Sequence, residues 1–298
     1  MQQFLNTLVS GASLGSIYSL MALAMILVWR STRVVNFAQA GQAVLSTYVG
    51  LEIHRITHSY VLTLVVAIIF GAIFGALVDL LLVRPLLRRV GDGPIAAVAP
   101  VIVTLGLLGA LQGFVGLVWG GEYRSFPAAF SQDGINIGTM KIPFSQFDFF
   151  ILLVTLAVML TFAYIFQRSG LGLAMRAAAF EPEVAQLAGV RVARVRTIGW
   201  AFAGAAGALA GALITPTTLL APNSLDLLLV FGFTAAVLGG LESLVGGVVG
   251  GFLLGLGLAF VVAYLGGSFT FMTAFVVLIV VLLVRPQGLI GARRMRNA

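Results

Sequence analysis

Residues able to do chemistry are few in this chain, and their spacing excludes most of what they could do. Lys141 is the single lysine, preceded by Thr139 and Met140. A phosphate-binding loop of the G-x-x-x-x-G-K-[ST] type needs its lysine directly after glycine to reach the phosphates, so none can be built here. The chain hydrolyses no ATP by that route. His54 and His58 are four apart and could share a helix face, but Arg55 stands where a zinc protease has glutamate. A loop or interfacial pair is favoured over a metal site. Cysteine is absent, which excludes disulfides, iron–sulfur clusters and thiolate metal ligands. No Ser/His/Asp cluster or carboxylate pair suggests hydrolysis, so an enzyme reading is weak.

The carboxylates that fall near apolar segments are Glu52, Asp79, Asp148, Asp226 and Glu242. Charges inside a membrane are functional candidates by default. Glu52, Asp148 and Asp226 sit near segment ends, where water is close. Asp79 is within about a turn of Arg84 and is expected to be solvated or paired near one membrane face. Glu242, in the run Leu238-Gly239-Gly240-Leu241-Glu242-Ser243, is harder to dismiss. A proton- or sodium-coupled carrier would show deeper acidic groups, so their scarcity argues against secondary transport.

Composition says what must hold these residues. Charged side chains make up 9% and hydrophobic ones 60%, with a mean hydropathy of +1.09, against about 25% charged in soluble domains. So little polar surface cannot cover a soluble chain of 298 residues; the remainder must face lipid. The pI near 10.5 needs no nucleic acid, because membrane proteins gather arginine on one side. The expected fold is all-α, a polytopic helical membrane bundle of eight or nine spans. Residues 1–298 form a single transmembrane domain with no soluble domain. Each span needs about 20 apolar residues, and candidates run 8–29, 37–53, 61–83, 95–119, 149–166, 197–214, 225–238, 245–264 and 269–284. The second and seventh are short enough to be broken or re-entrant. No period-two alternation suggests a barrel.

Basic residues follow the first span (Arg30, Arg33), the third (Arg84, Arg88, Arg89) and the fifth (Arg168, Arg176, Arg191, Arg194, Arg196), and fill the tail (Arg285, Arg293, Arg294, Arg296). Only Arg55, Arg124 and Lys141 fall on the other side. That asymmetry places the N-terminus outside and the tail in the cytoplasm. Nine crossings fit; eight require a half-span that turns back. Glycines four apart, at 11/15, 71/75, 109/113, 207/211 and 247/251/255, allow close helix approach and predict tight packing, with room for an intramembrane partner.

Two segments outside the spans carry information. The external stretch 120–148, with no clear structure of its own, suits either contact with an outside partner or passive connection. The cytoplasmic stretch 167–196 is the richer one. Residues 172–180 read as helix, and Glu181-Pro182-Glu183 starts another, with proline suited to the first helical position and Glu183 at the positive end of the dipole. Gly189 is placed to stop it. About two turns are too few to persist alone in water. Val184, Leu187 and Ala188 form a small apolar face, so the segment either docks in a partner's groove or packs back onto its own bundle.

Several stretches resemble one family. Gly15-Ser16-Ile17-Tyr18-Ser19-Leu20-Met21-Ala22-Leu23 and Arg33-Val34-Val35-Asn36-Phe37-Ala38 are similar to the opening of branched-chain amino-acid ABC importer permeases of the LivH type. Thr104-Leu105-Gly106-Leu107, Ala236-Val237-Leu238-Gly239-Gly240 and Arg285-Pro286-Gln287-Gly288-Leu289 fit the same family, in family order. Glu183-Val184-Ala185-Gln186-Leu187-Ala188-Gly189 resembles its E-A-A-x-x-x-G motif, with valine in the second place.

The resemblance implies an ABC importer permease fold working with two ATPase subunits, a second homologous permease, surrounding lipid and an extracytoplasmic amino-acid-binding protein, in a prokaryotic plasma membrane. ATP and Mg would be bound by the ATPases, with no cofactor in this chain. Arg176, Glu181, Pro182, Glu183, Val184, Leu187, Ala188 and Gly189 would form the ATPase-coupling segment. Asn36, Gln39 and Gln42, at i, i+3 and i+6, would with Thr104 either line the path or hydrogen-bond between helices. The substrate implied is a branched-chain amino acid or a similar small amino acid or amide.

Overall fold

The computed structural model describes residues 2–90, 94–137 and 140–290, without the side chains of 94–97, 135–137 and 140–143. Arg293, Arg294 and Arg296 of the basic tail lie outside the described residues, as does the side chain of Lys141. The helices are α1 (Gln2–Thr32), α2 (Gln39–Thr57), α3 (Tyr60–Val78), α4 (Arg84–Val90), α5 (Pro94–Trp119), α6 (Gln146–Arg168), α7 (Gly170–Phe180), α8 (Pro182–Leu187), α9 (Val192–Thr218), α10 (Asp226–Gly239), α11 (Leu244–Tyr264) and α12 (Thr270–Val284). Each apolar run singled out in the sequence holds one of them. Among the described residues, seven stretches are long and apolar enough to cross a membrane. The two runs marked as short fall outside that set: α10 by length, α2 because Gln39, Gln42, Ser46 and Thr47 make it polar.

Side chains near the ends fix where helices begin. Ser59 accepts a bond from Leu62 N at the start of α3, and Ser243 accepts one from Gly246 N at the start of α11. Ser145 and Asp148 exchange bonds across the start of α6, a reciprocal cap that satisfies two donors. α2 ends at His58, whose left-handed backbone turns the chain into α3. Between α3 and α4, Asp79–Val83 is a π turn in which Arg84 N reaches back to Asp79 O. Pro85 explains it: proline brings no N–H and collides with the carbonyl four residues back, so the helix widens there rather than breaking.

The stretch 120–148 does have structure of its own, contrary to expectation. β1 (Gly134–Ile137) and β2 (Met140–Ser145) pair antiparallel with Ile135 opposite Ile142 and a bulge after Gly134. Arg124 also exchanges both backbone bonds with Leu220.

Two compact units are present. One comprises Leu27–Ala129 and Val158–Leu229, with α9 at its centre. Gly71 and Gly75 of α3 lie against Gly204 and Trp200 of α9, and Gly211 lies against Ala43 and Thr47 of α2. The other comprises Met1–Ile26, Phe130–Ala157 and Val230–Ala298. There, Gly11 and Gly15 of α1 abut Leu256 and Phe252 of α11, and Ser19 Oγ donates to Val248 O at 2.9 Å. The predicted packing role of glycine holds at these positions. Gly109 and Gly113 differ, with nothing within 4 Å of where a side chain would start.

Candidate functional site

The segment that follows α6 is built by a chain of local caps. Ser169 accepts a bond from Gly172 N at 3.1 Å to start α7. The Arg176 guanidinium donates to Phe166 O, fixing α7 against the end of α6. Arg30 stacks over the Phe166 ring at 5.3 Å. α7 stops at Glu181, whose extended backbone interrupts the helix, and Pro182 restarts it as α8 with Glu183 in the first turn. At the far end Gly189 has φ +84°. Its N–H bonds to Gln186 O and that of Val190 to Ala185 O. This is the Schellman arrangement, and it needs a residue that enters the left-handed region without strain.

α8 is thus one short helix, begun by Pro182 and closed by the Gly189 cap, in which only the side chain of Ala185 is buried. Val184 is 61% and Leu187 89% exposed. Phe180, just before it, is 84% exposed. Glu181, Pro182, Glu183, Ala188 and Gly189 are exposed as well. The apolar face read from the spacing therefore points outward, and Ala185 faces inward. α8 is flanked by arginines: Arg176 before it, and Arg191, Arg194 and Arg196 after it.

Beyond Gly189 the chain enters α9 and reaches a buried electrostatic contact. Arg196 Nε donates to Asp79 Oδ1 at 2.9 Å, and Thr197 Oγ1 donates to Asp79 Oδ2 at 2.6 Å. Asp79 is fully buried, and Arg196 is 18% exposed. Both carboxylate oxygens are satisfied, the condition under which a buried charge is tolerated. The pairing of Asp79 is thus with Arg196, 117 residues on, not with nearby Arg84.

The amides marked for the path are all buried. Asn36 Nδ2 donates to Gln39 Oε1 at 2.9 Å, Asn36 Oδ1 accepts from Ala38 N, and Gln39 Nε2 donates to Ala203 O of α9 at 2.9 Å. Thr104 Oγ1 donates to Pro100 O within its own helix. The side chain of Gln42, 1% exposed, has no hydrogen-bond partner among the described residues.

The other chemical candidates resolve into structural roles. Glu52 accepts from Trp119 Nε1 at 2.8 Å and pairs with Arg55. Asp226 accepts from Gln112. Asp148 caps α6, and Glu242 is exposed in the turn before α11. His54 and His58 lie edge to face, their centroids 6.2 Å apart. Among the described residues no group of three or more His, Asp or Glu could hold a metal.

The family model described as branched-chain amino acid transport system / permease component matches residues 7–285. The chain belongs to that family. This permease is 27% identical to a protein named probable branched-chain amino acid transport permease protein LivH from Methanocaldococcus jannaschii, over 91% of this chain and 88% of that one. It is 29% identical to the high-affinity branched-chain amino acid transport system permease protein LivH of Salmonella typhimurium, over 97% and 96%. A solved structure, PsaBC from Streptococcus pneumoniae in complex with Fab, is similar at TM-score 0.48 and 14% identity, covering 96% of this chain and 91% of that one. No conclusion follows from a likeness at that level.

Family and spans together make the permease a multi-pass membrane protein whose described role is transport. Sequence reasoning missed two of its features. The Asp79–Arg196–Thr197 contact had one available signal, a lone carboxylate inside the apolar run Val78-Asp79-Leu80, but nothing local names its partner. The bond from Gln39 to the Ala203 carbonyl likewise joins groups 164 residues apart.

Proposed function

We propose that residues 1–298 act as one transmembrane permease domain of an ABC importer. It would pass branched-chain amino acids, or similar small amino acids or amides, across a prokaryotic inner membrane. Its ATPase contact is α8. The observation that carries this reading is the outward apolar face of Val184 and Leu187 on a helix begun by Pro182 and closed by the Gly189 cap. A six-residue helix gains nothing in water by exposing two large aliphatic side chains, and a partner's groove would cover them. The family and the relatives' names supply the class of substrate.

In this reading the arginine-rich side is cytoplasmic and the N-terminus lies outside. Two ATPase subunits bind ATP and Mg and close on one another. α8 rides with them, and Arg176 and the Gly189 cap keep it rigid enough to transmit the motion. Arg196 and Asp79 then pass the displacement from the start of α9 to α3. A second homologous permease completes the pair, and its approach to the open glycine face of α5 is the arrangement we favour. A solute-binding protein delivers the substrate from outside and carries most of the specificity. Gln42 is the amide here best placed to meet it, since its hydrogen-bonding capacity is unspent.

The test is reconstitution. The chain alone should show no ATPase activity and no solute flux. The complete importer should show ATP-dependent uptake, and replacing Glu183 or Gly189 should let hydrolysis continue while uptake falls. Flux through the lone chain without ATP would replace this reading with a stand-alone channel.

A further inference from the structure

A groove of about 260 Å³ opens between Arg84, Leu87 and Arg88 on one side and Gln186, Val192, Ala193 and Arg196 on the other. Arg84 and Arg88 are four apart on α4, so they share one face of the helix. Neither has a carboxylate partner among the described residues, whereas the charge of Arg196 is already taken by Asp79. Among the described residues, the groove therefore holds two uncompensated positive charges. Immediately before Arg84, the π turn exposes Leu80, Leu81 and Leu82, with Leu81 68% exposed. In a chain that crosses a membrane, such a row is where acyl chains lie. The step from exposed leucines to unpaired arginines marks the depth at which acyl chains give way to headgroups.

The geometry points to a binding site for an anionic phospholipid. Arg84 and Arg88 hold its headgroup phosphate in the groove, and its acyl chains run along Leu80, Leu81 and Leu82. Basic pockets between membrane helices on the inner face bind acidic headgroups in this way, and paired arginines suit phosphate oxygens. An acidic segment of a partner protein fits less well. Such a segment brings no apolar chain to cover Leu80, Leu81 and Leu82, which the acyl chains of a lipid do. The groove also avoids the docking face of α8: Gln186 lies about 160° around the helix from Val184 and about 100° from Leu187. Because Gln186 belongs to α8, a bound headgroup braces the base of that helix on the flank away from Val184. This last consequence rests on the docking reading above; lipid binding itself does not.

Native mass spectrometry of the purified full-length chain, delipidated and then given phosphatidylglycerol or phosphatidylcholine, tests the site. Wild-type chain should retain phosphatidylglycerol selectively. The double substitution Arg84→Gln/Arg88→Gln should weaken that binding about 30-fold, the loss of two arginine–headgroup interactions, with an unchanged melting temperature. Arg55→Gln, in the last turn of α2 and not among the groove residues, should leave it unaltered. Equal retention by wild type and double variant, or equal retention of both lipids, overturns the proposal. So does displacement of phosphatidylglycerol by inorganic phosphate alone at low concentration. Loss of the ATPase partner from the double variant with lipid binding intact assigns the groove to protein and also overturns it. If wild type binds no ATPase at all, the docking reading fails, while the lipid measurement still stands or falls by itself.

Discussion

The α3–α9 contact and α8 belong to the same compact unit and use small residues in opposite ways. Where α3 meets α9, Gly71, Gly75 and Gly204 bring the two backbones together with no room for a methyl group, because a Cβ on Gly204 would overlap the Gly71 carbonyl. The buried Asp79–Arg196 pair locks the same two helices at one end. In α8, small Ala185 is the one buried side chain, and Val184 and Leu187 face outward. Gly189 there has open space around it and is needed only for its backbone angle. One region spends its sequence on closure within the chain. The other is closed by a single C-terminal cap and leaves its apolar surface for another molecule.

The largest expected effect lies on the closed side. Asp79→Ala strands the Arg196 guanidinium and should lower stability by about 3–5 kcal/mol, read as a fall in melting temperature of the detergent-solubilised chain. Asp79→Asn, which keeps an acceptor for Thr197, should cost less. Gly204→Ala comes next, at about 1–3 kcal/mol from overpacking, in the same measurement. Its counterpart is Gly109→Ala, the same added carbon on an open face, which should stabilise by about 0.5 kcal/mol through helix propensity. Equal losses at the two glycines would erase the distinction between closed and open helix faces. Gly189→Ala should cost about 1 kcal/mol by forcing alanine into the left-handed region. Gly189→Asn should cost less, as judged by hydrogen exchange at the Val190 amide.

How much of this was legible in the sequence follows from range. The helices stood out because apolar runs are local, and α8 because Pro182 and Gly189 punctuate it within eight positions. The apolar face of Val184 and Leu187 followed from spacing, although whether it points outward, and which residue faces inward, did not. What escaped was non-local or set by one awkward residue. The partner of Asp79 arrives from another helix. The π turn arises because Pro85 disturbs the turn before it. The β1–β2 hairpin lies in a stretch whose mixed composition carries no clear alternation.

The central claim is that Val184 and Leu187 face an ATPase subunit, and the absence of cysteine makes it directly testable. A single Leu187→Cys substitution introduces the only thiol in the chain, so any crosslink formed through it reports one position. In the assembled importer, a short thiol-reactive bifunctional crosslinker should join this chain to the ATPase subunit in high yield. Tyr123→Cys, in the stretch assigned to the outer side, should give no such product. A crosslink from position 187 only to lipid or to this chain itself, in an importer that still takes up substrate, would contradict the account.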